Sequence, residues 1–226
     1  MASATYLKRR DELETYFDRT AATNWARLTS DAPVSGIRAT VRAGRDAMRD
    51  TLLSWLPADL TGCRILDAGC GTGQFAIEAA RLGADVVAVD LSQTLVDLAA
   101  VRATELNLKG SIRWAVGDMF DPGEGSFDHV VAMDSLIHYQ IDDFVTGVRR
   151  LAALADKTVL FTFAPRTPAL AVMHSVGKLF PRSDRSPAIC PHTAKEVGDR
   201  LADWRLLRSK KIKSGFYISQ ALELAA

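Results

Sequence analysis

Leu66-Asp67-Ala68-Gly69-Cys70-Gly71-Thr72-Gly73 decides the fold. The stretch continues a short apolar run, Arg64–Asp67, and leads into a helix-length segment, Gln74–Leu82, so it reads as strand, glycine-rich turn and helix. Glycines at 69, 71 and 73 let the backbone turn tightly and come close to a ligand. A second strand, Val86–Asp90, ends in a carboxylate 17 residues after Gly73. A carboxylate at that point can accept hydrogen bonds from both hydroxyls of a ribose. The glycine spacing places Gln74 where a dinucleotide fingerprint would have its last glycine, which speaks against a nicotinamide dinucleotide. Asp67 adds to this, since its charge would repel a pyrophosphate and suits a cationic amino-acid group.

Working outward, Ile112–Val116, His129–Met133 and Thr158–Phe163 are further strand candidates, with helices over Gln93–Leu106, opened by Ser92 as N-cap, and Asp142–Leu154. The alternation implies right-handed βαβ units and a mainly parallel sheet, an α/β Rossmann-like architecture. A helix near Thr193–Ala202 and two terminal strands, Arg205–Ile212 and Phe216–Leu222, turning at Ser214-Gly215, predict an antiparallel hairpin that completes a seven-stranded sheet. Residues 6–55 read as helical, with Leu7, Leu13, Tyr16 and Phe17 spaced for one face and a break near Asp31-Ala32-Pro33. Residues 1–60 are therefore an N-terminal helical extension or lid, and 61–226 the Rossmann-like domain. Prolines 165, 168, 181, 187 and 191 interrupt the alternation around an apolar segment, Ala169–Phe180, and mark a substrate-covering insertion at about 165–192.

Composition narrows the function classes. The 28 Lys and Arg against 27 Asp and Glu leave a net charge of +1, so the whole molecule has no electrostatic bias toward nucleic acid. Cys63, Cys70 and Cys190 form no CxxC pair, which argues against both a disulfide framework and a zinc site and favours a cytoplasmic location. No stretch approaches the roughly 18 apolar residues of a membrane span. An apolar segment such as Ala169–Phe180, flanked by basic residues, can nevertheless rest on a membrane surface.

From Cys63 through Met133 the chain resembles the class I S-adenosylmethionine-dependent methyltransferases. That resemblance implies that the loop Asp67, Gly69, Cys70, Gly71 and Gly73 holds the methionine part of the cofactor and that Asp90, with Leu91, holds the ribose. Gly117-Asp118-Met119 would lie beside the adenine, Asp118 on its amino group and Met119 on its ring, and Met133-Asp134-Ser135 would end the fourth strand.

A narrower resemblance spans nearly the whole chain, to the magnesium-protoporphyrin IX O-methyltransferases of chlorophyll and bacteriochlorophyll synthesis. It is carried by Tyr16-Phe17 with Trp25-Ala26-Arg27-Leu28, by Val41-Arg42-Ala43-Gly44-Arg45 and by Ala132–Tyr139. Gly177–Pro187 and Ser214-Gly215-Phe216-Tyr217-Ile218-Ser219 complete it. The family esterifies one propionate of the porphyrin. A propionate is already ionised near neutral pH, so methylation by in-line displacement needs no strong base, and the sequence carries no Ser-His-Asp or paired-carboxylate motif.

His138 follows the fourth strand, where ligands bind in doubly wound sheets. It could hydrogen-bond the propionate, shuttle a proton or contact the porphyrin magnesium, or it could be structural. Tyr16 could orient the carboxylate or simply anchor its helix, and Trp25 carries the same pair of readings. Lys178, Arg182 and Arg185, among prolines, suit a planar macrocycle with two carboxylates or a solvated loop. Arg38, Arg42 and Arg45 recur at helical spacing. The resemblance also implies partnership with the porphyrin-binding subunit of magnesium chelatase, while Ala169–Phe180 points to peripheral membrane association. The rival reading is a methyltransferase acting on a quinone precursor or other hydrophobic small molecule.

Overall fold

The computed structural model describes residues 3–18, 28–29, 36–123, 125–166 and 188–226. Trp25, Lys178, Arg182, Arg185 and the segment Ala169–Phe180 lie outside the described residues, as does the break at Asp31-Ala32-Pro33.

The chain runs α1 (Ala4–Tyr16), α2 (Gly36–Trp55), β1 (Arg64–Ala68), α3 (Gln74–Arg81), β2 (Asp85–Asp90), α4 (Gln93–Thr104), β3 (Ser111–Val116) and β4 (Phe127–Ala132). A 3-10 turn at Leu136–His138 leads to α5 (Ile141–Ala152), β5 (Ala155–Phe163), α6 (Ala194–Arg200), β6 (Leu206–Ser214) and β7 (Tyr217–Ala225). The seven strands form one sheet in the order β3-β2-β1-β4-β5-β7-β6. β1 pairs in parallel with both β2 and β4, so its C-terminal end is where the strand order reverses and a crevice opens. β7 runs antiparallel between β5 and β6, which leaves β6, the first arm of the hairpin, at the sheet edge.

The central strands are apolar on both faces because helices cover both. Ile65, Val86, Ala88, Val131 and Leu160 pack with Met48 and Leu52 of α2 and Phe75, Ala76 and Ala79 of α3. Their alternate neighbours Leu66, Val87, Val130 and Val159 pack with Phe144, Val148 and Leu151 of α5. Ser92 caps α4, its Oγ accepting from the Leu95 amide at 3.3 Å. No helix among the described residues is long and apolar enough to cross a membrane.

The N-terminal helix corrects one expectation. Its cap is Ser3, whose Oγ accepts from the Tyr6 amide, and this sets the buried face on Tyr6 and Leu13, two turns apart. Leu7, expected on that face, is 38 % exposed.

Candidate active site

The crevice at the end of β1 is built by the glycine loop. The Gly69 and Cys70 amides donate to the Val89 carbonyl at 2.8 and 3.0 Å, which fastens the loop to the end of β2. The Gly71 amide donates to Asp90 Oδ2 at 2.8 Å, and Asp90 Oδ1 accepts from the Ser92 amide at 3.0 Å. Both Gly69 (φ 83°) and Gly73 (φ 75°) are in the left-handed region. A β-carbon at Gly69 would stand 2.4 Å from Ser135 Cβ, and one at Gly73 2.4 Å from the Trp114 ring. The loop thus needs glycine for backbone shape and for close packing alike.

Above it lies a cavity of about 340 Å³, of the size that encloses a small cofactor or ligand. Asp67, Gly69, Cys70, Gly71, Asp90, Leu91, Met119, Met133 and His138, all expected at the site, line it. Gly73 and Asp118 do not: Gly73 turns the chain into α3, and Asp118 receives the Tyr6 hydroxyl at 2.8 Å and the Phe120 amide at 3.0 Å.

Asp67 is buried, and its Oδ2 has no hydrogen-bond partner among the described residues. Burial first, then repulsion from Asp90, push its carboxyl up to about 7, against a hydrogen bond from the Ala76 amide. Burial also raises Asp90, against the Ser92, Gly71 and Leu91 amides. An orphaned acid on a cavity wall calls for a cation, and the ammonium of S-adenosylmethionine is one. The ribose hydroxyls match Asp90 in the same way, so the residues fit this cofactor.

The other side of the cavity is more apolar. Phe17, Ile137, Tyr139 and Ile189 line it around His138. His138 is buried on the 3-10 turn, with Nδ1 3.3 Å from the Ala188 carbonyl. A carbonyl only accepts, so this contact puts a proton on Nδ1, and in the neutral imidazole Nε2 is then the acceptor. Tyr16 stands at the end of α1, half-buried, with its ring edge-on to Phe17 at 5.2 Å, and is not among the lining residues. The helix presents Tyr6, Leu13 and Phe17 to the cavity instead.

A charged cluster that no local sequence pattern announces also lines the cavity. Asp134 is the only non-glycine among the described residues with positive φ, 55°. Its carboxylate accepts from Arg45 Nη1 at 2.8 Å, from the Tyr217 hydroxyl at 3.0 and 3.1 Å, from Thr162 at 3.1 Å and from Ser219 at 3.3 Å. Of the three arginines at helical spacing, Arg45 is the one that lines the cavity, while Arg42 Nε donates to the Leu28 carbonyl at 2.8 Å. Position 134, directly after an expected cofactor residue at the end of β4, was the available signal.

The sheet order, the glycine loop and its two acids define a class I S-adenosylmethionine-dependent methyltransferase fold, and a general methyltransferase-domain family matches residues 65–157. A second family, described as the magnesium-protoporphyrin IX methyltransferase C-terminus, matches residues 132–226. The chain is 49 % identical to a magnesium-protoporphyrin O-methyltransferase of Rhodobacter capsulatus over 96 % of this chain and 97 % of that one. A Synechocystis magnesium-protoporphyrin O-methyltransferase is 32 % identical over 92 % of each chain. The crystal structure of a Synechocystis magnesium protoporphyrin IX methyltransferase with bound S-adenosylhomocysteine superposes with a TM-score of 0.82 at 29 % identity, covering 97 % of this chain and 99 % of that one. The chain belongs to the magnesium-protoporphyrin O-methyltransferase family.

Proposed function

We infer that the protein transfers a methyl group from S-adenosylmethionine to a propionate carboxylate of magnesium protoporphyrin IX, giving the monomethyl ester. The observation that carries this reading is one cavity joining an acid-bearing wall, with Asp67 and Asp90, to an apolar wall around His138. Such a cavity takes a cationic donor on one side and a hydrophobic acceptor on the other. The near-full-length relatives of the family supply the acceptor's identity.

When bound, S-adenosylmethionine supplies an electrophilic methyl carbon on sulfur, which leaves as a neutral thioether. A carboxylate oxygen forms the new O–CH3 bond with its own electron pair, so the negative and positive charges of the reactants cancel. A dry wall favours that cancellation, and Phe17, Ile137 and Ile189 provide it. Holding oxygen and methyl carbon in line supplies much of the remaining acceleration. Asp67 holds the ammonium, Asp90 the ribose hydroxyls, Met119 the adenine ring and Asp118 its amino group. His138, with Nε2 as acceptor, takes the proton from whatever fraction of the propionate arrives protonated and so keeps the nucleophile ionised.

Trp25 as a contact of the reacting carboxylate, and Lys178, Arg182 and Arg185 as contacts of the macrocycle, complete the assignment, while Tyr16, outside the cavity lining, is left as an anchor of its helix. Residues 1–60 serve as a lid over a catalytic unit at 61–226, and residues at about 165–192 cover the acceptor. Association with the porphyrin-binding subunit of magnesium chelatase and with a membrane surface through residues 169–180 belongs to the same reading. Membrane flotation with and without that segment tests the last point, and recovery of both forms only in the soluble fraction rejects it.

The decisive assay incubates purified protein with methyl-labelled S-adenosylmethionine and, separately, magnesium protoporphyrin, metal-free protoporphyrin and a demethylated quinone. Label is expected in a monomethyl ester of magnesium protoporphyrin. Label only in the quinone, or in nothing, rejects the reading.

A further inference from the structure

The N-terminal helix is seated on two carboxylates of the sheet-bearing body. Ser3 and Thr5 donate to the two oxygens of Asp143 at 2.5 and 2.7 Å, and the Tyr6 hydroxyl donates to Asp118 Oδ1 at 2.8 Å. The Tyr6 ring is 5 % exposed, lies nearly parallel to Tyr139 at 5.1 Å and touches Phe120 at 5.3 Å. Its position is therefore fixed by packing on two aromatic neighbours as well as by its hydrogen bond. Tyr6 lines the cavity together with Gly117 and Met119, the two residues that flank Asp118.

Asp118 Oδ1 is held from two sides, by Tyr6 and by the Phe120 amide at 3.0 Å, while Oδ2 lies 3.7 Å from Arg10 on the same helix. Two donors on one oxygen settle the plane of a carboxylate, and the plane settles where the other oxygen points. Without the tyrosine hydroxyl, one amide and a 3.7 Å ion pair with half-exposed Arg10 are the remaining restraints on a torsion that is broad for aspartate.

We propose that Tyr6 is a positioning residue for the cofactor, whose hydroxyl orients Asp118 so that this acid recognises the exocyclic amino group of the adenine. The inference rests on the reading that Asp118 faces the adenine. It assigns helix α1 a share in choosing the base, beyond covering the cavity. A hydroxyl 112 residues away in sequence thereby decides how well an acid at the end of β3 discriminates its ligand.

The test measures affinity by calorimetry for S-adenosylhomocysteine and for its analogue with hydrogen in place of the adenine amino group. The ratio of the two is read in the wild type, in Tyr6→Phe and in Asp118→Ala. The wild type is expected to prefer the amino compound by about tenfold or more, as for a hydrogen bond to a charged group. Tyr6→Phe, which keeps the ring packing, is expected to bring the ratio to within about twofold of unity, as Asp118→Ala does. A ratio left at its wild-type value in Tyr6→Phe, whatever happens to absolute affinity, makes the hydroxyl merely structural and overturns the proposal. A Tyr6→Phe variant that binds the amino compound more tightly than the wild type also overturns it, because the hydroxyl would then compete with the base. If Asp118→Ala itself leaves the ratio unchanged, the adenine reading falls and takes the proposal with it. A collapse in Asp118→Ala without one in Tyr6→Phe sinks the Tyr6 proposal alone.

Discussion

The buried acid at Asp67 makes cofactor affinity depend on pH in a calculable way. Its carboxyl, ordinarily at 3.8, stands at about 7 in the folded protein without ligand. A raised acid destabilises the fold as pH climbs from 3.8 through about 7, after which the cost is constant. Full ionisation of Asp67 costs about 4 kcal/mol. A cofactor ammonium reverses the sign, because only the ionised acid pairs with it. Affinity for S-adenosylhomocysteine should therefore rise with pH below about 7 and level off above. It should be about tenfold weaker at pH 6 than on the plateau near pH 8. Asp67→Asn should remove this slope, weaken binding on the plateau by about 10- to 100-fold and raise the melting temperature of the unliganded protein at pH 8. Isothermal titration across this range, with thermal melts of the unliganded protein, checks all three. A dissociation constant that is flat in the wild type, or a slope that survives in Asp67→Asn, refutes the assignment of the ammonium to this acid.

Three further outcomes follow from the packing of the site. Gly44→Ala places a β-carbon 2.5 Å from the Tyr217 ring and should cost about 1–3 kcal/mol, visible as a lowered melting temperature by circular dichroism. Asp134→Ala removes the carboxylate on which Arg45, Tyr217, Thr162 and Ser219 converge and should cost about 3–5 kcal/mol in denaturant melts. Asp134→Asn, which tolerates positive φ and keeps polar contacts, should cost clearly less. His138→Gln should lower kcat in the methyl-transfer assay while leaving the affinity for S-adenosylhomocysteine within about twofold, since the ring lies on the acceptor side; an unchanged kcat makes it structural.

The parts of the fold legible in sequence are those governed by local patterns. β1, β2 and β4 are buried on both faces over most of their length, so each carries a short apolar run, Ile65-Leu66, Val86–Val89 and Val130–Ala132, and their observed ends fall within about two residues of the expected ones. Ser92 announces α4 because a hydroxyl before an apolar-periodic run has an amide to cap. The phase of α1 was harder. Leu7 has the stronger apolar side chain, but Ser3 starts the helix so that Tyr6, one position earlier, faces inward, and a tyrosine can be buried when its hydroxyl finds a partner such as Asp118. The same shift explains why Tyr6, rather than Tyr16, lines the cavity. Asp118 could be placed at the end of β3 from sequence, but its partner on α1 could not, because nothing local to either residue records the other.

Asp134 shows the same limit and what the family-specific segments do. Arg45 and Tyr217 stand 89 and 83 residues from it in sequence, so no periodicity connects them. They lie in Val41–Arg45 and Ser214–Ser219, two of the segments that carry the narrower resemblance although neither belongs to the glycine loop. In the fold these segments touch. Gly44 lets α2 rest on the Tyr217 ring, Gly215 leaves room for Thr40, and Thr40 Oγ1 accepts from the Phe216 amide at 3.5 Å. Arg45 and Tyr217 then converge on Asp134, whose left-handed backbone turns the chain from β4 toward Ser135 and the 3-10 turn that carries His138. The glycine loop needs only a strand, a helix and an acid to hold the donor. The opposite wall needs α2, β4 and β7 to meet at one carboxylate, so substitutions at Gly44, Arg45, Asp134 or Tyr217 act on a single unit, and their effects should be non-additive in double-mutant cycles.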